Sequence, residues 1–223
     1  KQYSTRRSER PFPGRLFLVE ILFRKVYNKG RTDIERKTHM FYEMTIAGHK
    51  RQLPLFKVTD DLYIGAFIMF SDVEITVASA GELLKKAPGF DILVTAEAKS
   101  IPLIHEMARQ AGVNDYVVAR KGPKIYMDNI ITTEVDSITT DHIQTLCIGQ
   151  KEIDLIKGRR VLIVDDVIST GESLKSIENL VERAGGNIIG KMAVLAEGAA
   201  ADRDDIIFLE KLPVFNADGT VKE

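Results

Sequence analysis

Between Asp91 and Leu195 the chain alternates short, unbroken apolar runs with stretches whose apolar positions recur every three to four residues, and few folds accommodate that alternation. The runs are Asp91–Ala96, Tyr116–Ala119, Ile143–Ile148, Val161–Val164 and Ile188–Leu195. Strands apolar on successive residues are buried on both faces, as in parallel sheets. Helical spacing marks Val77–Lys86, then Ile101, Ile104, Met107, Ala108 and Ala111, and later Leu174, Ile177, Leu180, Val181 and Ala184. The pattern predicts an α/β fold, a mainly parallel, twisted sheet flanked by helices, with ligands at the carboxyl ends of its strands. Upstream, Phe41–Ala47, Leu53–Val58 and Leu62–Phe70 read as shorter strands.

A length of 223 residues suits one sizeable core, and 44% hydrophobic with 28% charged residues is an ordinary globular balance. No stretch reaches the roughly 20 apolar residues that span a bilayer, and no secretory pattern opens the chain, so a cytoplasmic protein without membrane contact is expected. The single cysteine, Cys147, excludes an internal disulfide framework and reads as a small buried hydrophobe. The net charge of −1 conceals an asymmetry. Residues 1–51 hold 13 Lys and Arg against 5 Asp and Glu, and the remainder holds 18 against 27. Residues 1–40 are expected to form a basic arm with a short helix near Leu16–Val26, and a nucleic-acid contact through this arm is the alternative to a solvated tail.

The segment Val161-Leu162-Ile163-Val164-Asp165-Asp166-Val167-Ile168-Ser169-Thr170-Gly171-Glu172-Ser173 concentrates the chemistry. A buried strand ends in two carboxylates, and a turn of small hydroxyl residues then enters a helix. Unpartnered N–H groups and the positive end of the helix suit a phosphate there. Ser169 and Glu172 fit a capping box that would set the helix start. Gly171 allows close backbone approach, and the hydroxyls of Ser169, Thr170 and Ser173 can donate. Carboxylates would repel a phosphate unless they face ribose hydroxyls or a hard cation such as magnesium. A receiver domain is excluded, because only 57 residues follow Asp166. Neither a Walker loop nor a dinucleotide-binding glycine fingerprint is present.

Thr95-Ala96-Glu97-Ala98-Lys99-Ser100 follows another strand and opens a helix, so it is a second candidate anion turn. Arg120, Lys121 and Lys124 flank Gly122 after the next strand and suit a polyanion. His39, His49, His105 and His142 lack metal-ligand spacing, and no protein metal site is assigned. His142 adjoins the polar, threonine-rich stretch Ile130–Thr140.

The strand, acid pair and Thr-Gly turn resemble the type I phosphoribosyltransferases, and the resemblance extends over about residues 50–215. It is closest to the adenine and xanthine enzymes of the purine branch and to the related purine repressor. The resemblance implies that Asp165 and Asp166 take the ribose of phosphoribosyl pyrophosphate (PRPP), and that Ser169, Thr170, Gly171, Glu172 and Ser173 take its 5-phosphate. It further implies that Ala98, Lys99, Ser100, Arg120, Lys121 and Lys124 take the pyrophosphate. Magnesium, bound mainly through PRPP, would be the cofactor, and a nucleobase, a purine by this resemblance, the second substrate. A homodimer is implied, with residues 41–223 as the phosphoribosyltransferase domain and a small hood built from about 41–70 and 205–223. Ile130–Thr140 would be a mobile loop, in which Ser137-Ile138-Thr139-Thr140 replaces the Leu-Glu-Tyr-Gly usual in adenine enzymes. No general acid or base is assigned. The alternative within the same resemblance is a PRPP-sensing transcriptional regulator.

Overall fold

The computed structural model describes residues 40–135 and 144–222. The basic arm, its Leu16–Val26 helix, His39, Ser137–Thr140 and His142 lie outside these residues. The framework is a five-stranded sheet. Its strands are β4 (Ile92–Ala96), β5 (Tyr116–Ala119), β8 (Arg160–Ile168), β9 (Asn187–Glu197) and β10 (Ile207–Leu212), in the order β10-β9-β8-β4-β5. All four pairings are parallel. Helices α1 (Val73–Lys86), α2 (Ile101–Ala111) and α4 (Glu172–Arg183) flank it, and α3 (Gln150–Ile156) is a short connector.

The unbroken apolar strands follow from burial on both faces. Along β8, Val161 and Ile163 join the core under α4, while Leu162 and Val164 join the core under α1 and α2. This is the two-residue alternation of a strand, with apolar layers above and below. Helix α1 starts earlier than its periodicity suggests, at Val73, because the Asp72 side chain accepts from the Ile75 N–H at 3.1 Å. Arg51 holds that same carboxylate through Nε at 2.7 Å. Helix α2 ends at Gly112, whose φ of 70° supplies the left-handed cap.

A separate antiparallel sheet has the order β1-β2-β3-β11, from β1 (Phe41–Ile46), β2 (His49–Thr59), β3 (Leu62–Gly65) and β11 (Val214–Phe215). Two expectations need correction. Ile207–Leu212, assigned from sequence to the hood, pairs in parallel with β9, and only Val214–Phe215 crosses to the small sheet. Strand β7 (Gln144–Ile148) does not extend the parallel sheet; it pairs antiparallel with β6 (Ile131–Val135). Five residues of the expected mobile stretch are therefore strand, and the Arg120–Cys147 bridge ties this ribbon to the end of β5. Cys147 is fully buried there, as its apolar neighbours suggested.

Candidate active site

The chain order sets the site. From β4 the chain steps outward to β5, and from β8 it steps the other way to β9 and β10, so the winding direction reverses between β4 and β8. Open α/β sheets leave a crevice at the carboxyl ends of such strands. The Glu97–Ser100 turn follows β4, and Asp165 and Asp166 lie in the carboxyl-terminal half of β8. The structure thus brings together two segments separated by some 65 residues of sequence.

Each carboxylate of the pair is held differently. Asp165 Oδ1 accepts from the Asp166 N–H at 2.9 Å, and the Ser100 hydroxyl also reaches Asp165. Ser100 Oγ lies 2.7 Å from Thr95 Oγ1, and both hydroxyls are fully buried. Burial, then the adjacent Asp166 charge, pushes the Asp165 carboxyl up to about 8. Asp166 Oδ2 stands 2.8 Å from Lys99 Nζ, within ion-pair range but off the line of a hydrogen bond, so this buried oxygen has no donor aimed at it. A buried, unsatisfied oxygen is costly and suits an incoming donor or cation. Lys99 Nζ donates instead to the Phe67 carbonyl at 2.9 Å, in the segment between β3 and α1.

The Ser169–Ser173 turn differs locally from the capping-box expectation. Helix α4 is capped by Gly171 in the left-handed region, φ 84°, with no side-chain cap bond. The turn from Ser169 to Ser173, with Asp165, Val167, Ile168 and Leu174, lines a small depression open to solvent. A left-handed residue at a helix start turns successive N–H groups toward one point, which is the geometry of an anion nest.

On the other flank, Glu97 accepts from the Lys121 N–H at 2.9 Å and pairs with Arg120 Nη2 at 3.2 Å. The backbone bond from Lys121, ahead of the Arg120 charge, holds the Glu97 carboxyl below its usual range. Two of the cations assigned from sequence to the pyrophosphate, Lys99 and Arg120, are therefore already paired with carboxylates. Lys121 is exposed and Lys124 half-buried beside them. Glu197, at the end of β9, was not singled out from sequence. Burial raises its carboxyl while the Lys99 charge opposes the shift. The signal that selected Asp165, an acid ending an apolar strand, would have found it.

A pH prediction arises here. The folded pKa of Asp165 lies above its unfolded value of 3.8. The folded state thus holds this proton longer, and the stability it contributes is full below about pH 4 and lost as pH rises toward 8. Urea titrations of wild type and Asp165→Asn between pH 5 and 9 should show a midpoint difference that grows in favour of the variant up to about pH 8 and then levels. A pH-independent difference would show that Asp165 does not titrate in this range.

Among the described residues, no group of three or more His, Cys, Asp or Glu side chains could hold a metal alone. No helix among them is long and apolar enough to cross a membrane.

Comparison with known proteins accords with this geometry. Residues 76–221 match the phosphoribosyl transferase domain family. The adenine phosphoribosyltransferase of Rhodococcus jostii is 31% identical over 138 residues, covering 61% of this chain and 74% of that protein. The xanthine phosphoribosyltransferase of Lactobacillus delbrueckii subsp. bulgaricus is 29% identical over 124 residues, covering 56% of this chain and 65% of that protein. Among solved structures, adenine phosphoribosyltransferase from Thermoanaerobacter pseudethanolicus superposes with a TM-score of 0.55 at 24% identity, over 77% of this chain and 95% of that one. The matched region contains both strand-end turns and the acid pair, and on this ground the chain belongs to the phosphoribosyltransferase family.

Proposed function

We propose that the protein transfers the phosphoribosyl group of PRPP to a purine base in nucleotide salvage, releasing pyrophosphate. The observation that carries this reading is the Asp165–Asp166 pair beside the left-handed Gly171 turn. The pair offers acceptors for two vicinal hydroxyls, and the turn offers donors for a phosphate. A sugar 5-phosphate satisfies both at once.

In the reaction, a base nitrogen bonds to C1 of the ribose as the bond from C1 to the diphosphate oxygen breaks; the diphosphate carries away the electron pair, and the proton of that nitrogen is released to water. Catalysis of this kind is mostly positioning and charge stabilisation. The acid pair fixes the ring, the Ser169–Ser173 turn fixes the 5-phosphate, and Ala98, Lys99, Ser100, Arg120, Lys121 and Lys124 surround the leaving group. Lys99 would leave Asp166 as diphosphate arrives, exchanging one anionic partner for another. The donor set fits a hard cation, since Asp166 Oδ2 is a buried carboxylate oxygen without a hydrogen-bond donor. Magnesium, its remaining ligands coming from PRPP and water, would neutralise the diphosphate charge. The small sheet would close over the base as the hood, and the protein would act as a cytoplasmic homodimer.

The test is pyrophosphate release from PRPP and magnesium with adenine, guanine, hypoxanthine, xanthine, uracil and orotate in turn. Turnover with one purine is expected and would name the substrate. Intact PRPP binding with no turnover on any base would replace the enzyme by a PRPP sensor. Absence of PRPP binding would remove both readings.

A further inference from the structure

The walls of the Ser169–Ser173 depression supply no positive side chain for a phosphate. Asp165 and Glu172 line it, and no lysine or arginine is among the lining residues. Backbone N–H groups and hydroxyls orient an anion, but a sugar phosphate near neutral pH brings between one and two negative charges. A cation does stand at this turn, supplied by the segment that follows β9. A Cβ built on Gly171 would lie 2.6 Å from Arg203 Nη1, so that nitrogen occupies the space a side chain at this position would fill.

The guanidinium is held in a defined attitude. Its Nε and Nη2 donate to the two oxygens of Asp205, each at 2.8 Å. Asp205 also accepts from Lys191 of β9 at 2.5 Å, and Lys191 pairs with Glu178 of α4 at 2.7 Å. Two cations and two carboxylates thus balance one another, and the cluster links the helix behind the turn to β9. A fork anchored on one edge by a carboxylate presents its remaining nitrogen in a fixed position. That nitrogen, Nη1, makes no hydrogen bond among those described, and it lies against the backbone of the turn. A salt bridge needed only to tie Arg203 to Asp205 does not account for that approach.

We propose that Arg203 is a further substrate-binding residue, donating from Nη1 to the 5-phosphate seated on the Ser169–Ser173 turn, with Asp205 keeping the guanidinium in place. The inference rests on the reading of this turn as the 5-phosphate site. The φ of 84° already favours glycine at position 171, and a side chain there would in addition displace Nη1. The pyrophosphate side of the cleft has its own cations, so Arg203 acts on one end of PRPP only.

Isothermal titration of the full chain with two probes, ribose 5-phosphate and inorganic pyrophosphate, tests this. Arg203→Met should weaken ribose 5-phosphate about ten- to a hundredfold, the range of a lost charge-assisted hydrogen bond. Pyrophosphate should bind within twofold of wild type. Arg203→Lys keeps a cation for Asp205 but loses the fork. It should fall between wild type and the Met variant, and it decides the matter if the Met variant does not fold. Ribose 5-phosphate binding within twofold of wild type in a folded Met variant, or in Arg203→Lys when that variant must decide, would overturn the assignment. An equal loss for both probes would overturn it as well, since that is the mark of a general structural defect. A wild-type protein that binds pyrophosphate but not ribose 5-phosphate would instead overturn the reading of the turn, and the role of Arg203 with it.

Discussion

Replacing Asp165 and Asp166 together by asparagine should lower turnover of PRPP by about 10²- to 10⁴-fold while leaving the fold intact. Under the proposed function each side chain of the pair bonds a ribose hydroxyl, Asp166 as a carboxylate and Asp165 fully so once its proton is lost. Hydrogen bonds to charged groups are worth roughly 1.5–3 kcal/mol, so loss of two gives that range. Asparagine retains the shape and one acceptor oxygen, so packing around the pair is preserved. Both residues are buried and adjacent, and ionising them together is unfavourable. The double variant should therefore melt at or above the wild-type temperature. Activity and stability are expected to move in opposite directions, the mark of a site whose strain is kept for function. Turnover within tenfold of wild type would show that the pair does not hold the ribose. A melting temperature lowered by several degrees would show that the pair is a structural element instead.

The second large effect is expected from Gly171→Ala. At φ 84° an alanine adopts the left-handed region, which costs an L-residue about 1–2 kcal/mol. Its Cβ would also meet Arg203 Nη1 at 2.6 Å. A free arginine tip would swing aside, but this one is held by Asp205 through two nitrogens. Alanine therefore displaces Nη1 from the turn against an exposed ion pair worth about 1 kcal/mol or less, on top of the strain at the helix start. Ribose 5-phosphate affinity should fall at least tenfold. The melting temperature should drop by about 2–8 °C, since 1 kcal/mol shifts a protein of this size by roughly 2–4 °C. Affinity within twofold of wild type would show that the turn does not form the phosphate seat.

Much of this was legible in the sequence, and the reasons are specific. Short, unbroken apolar runs bounded by polar turns suit strands buried on both faces, and β4, β5, β8 and β9 were placed from them. Asp165 and Asp166 stood out as two acids following an apolar run, and the structure buries both within β8, which continues to Ile168. Pairing partners were not legible. Strand β7 is as apolar as its neighbours, yet its partner is β6, a threonine-bearing segment that reads as a loop. Apolar content reports burial and says nothing about which edge a strand joins. Helix α4 starts from a left-handed glycine although Ser169 and Glu172 have the spacing of a capping box, because local propensity yields to the backbone path the turn needs. Lys99 was read as a cation facing an anion, and its contact with Asp166 depends on the long-range approach of β4 to β8. Arg203 sits in a segment without periodicity, and nothing local marks it.

Strand β10 closes the parallel sheet at Leu212, β11 begins in the small sheet at Val214, and Pro213 alone lies between them. Leu212 and Phe215 are both anchored in the interior, and both side chains close on the space that a side chain at Gly65 would fill. A single residue of chain spans less than 4 Å, and proline fixes its own φ. The small sheet is thus joined to the framework by a tether with almost no slack. A second tether stands on the other side of that sheet, where Arg51 of β2 pairs with Asp72 and Glu74 at the start of α1, and Ile46 and Leu53 share the core beneath α1 and α2, so the small sheet is pinned to the framework on two sides.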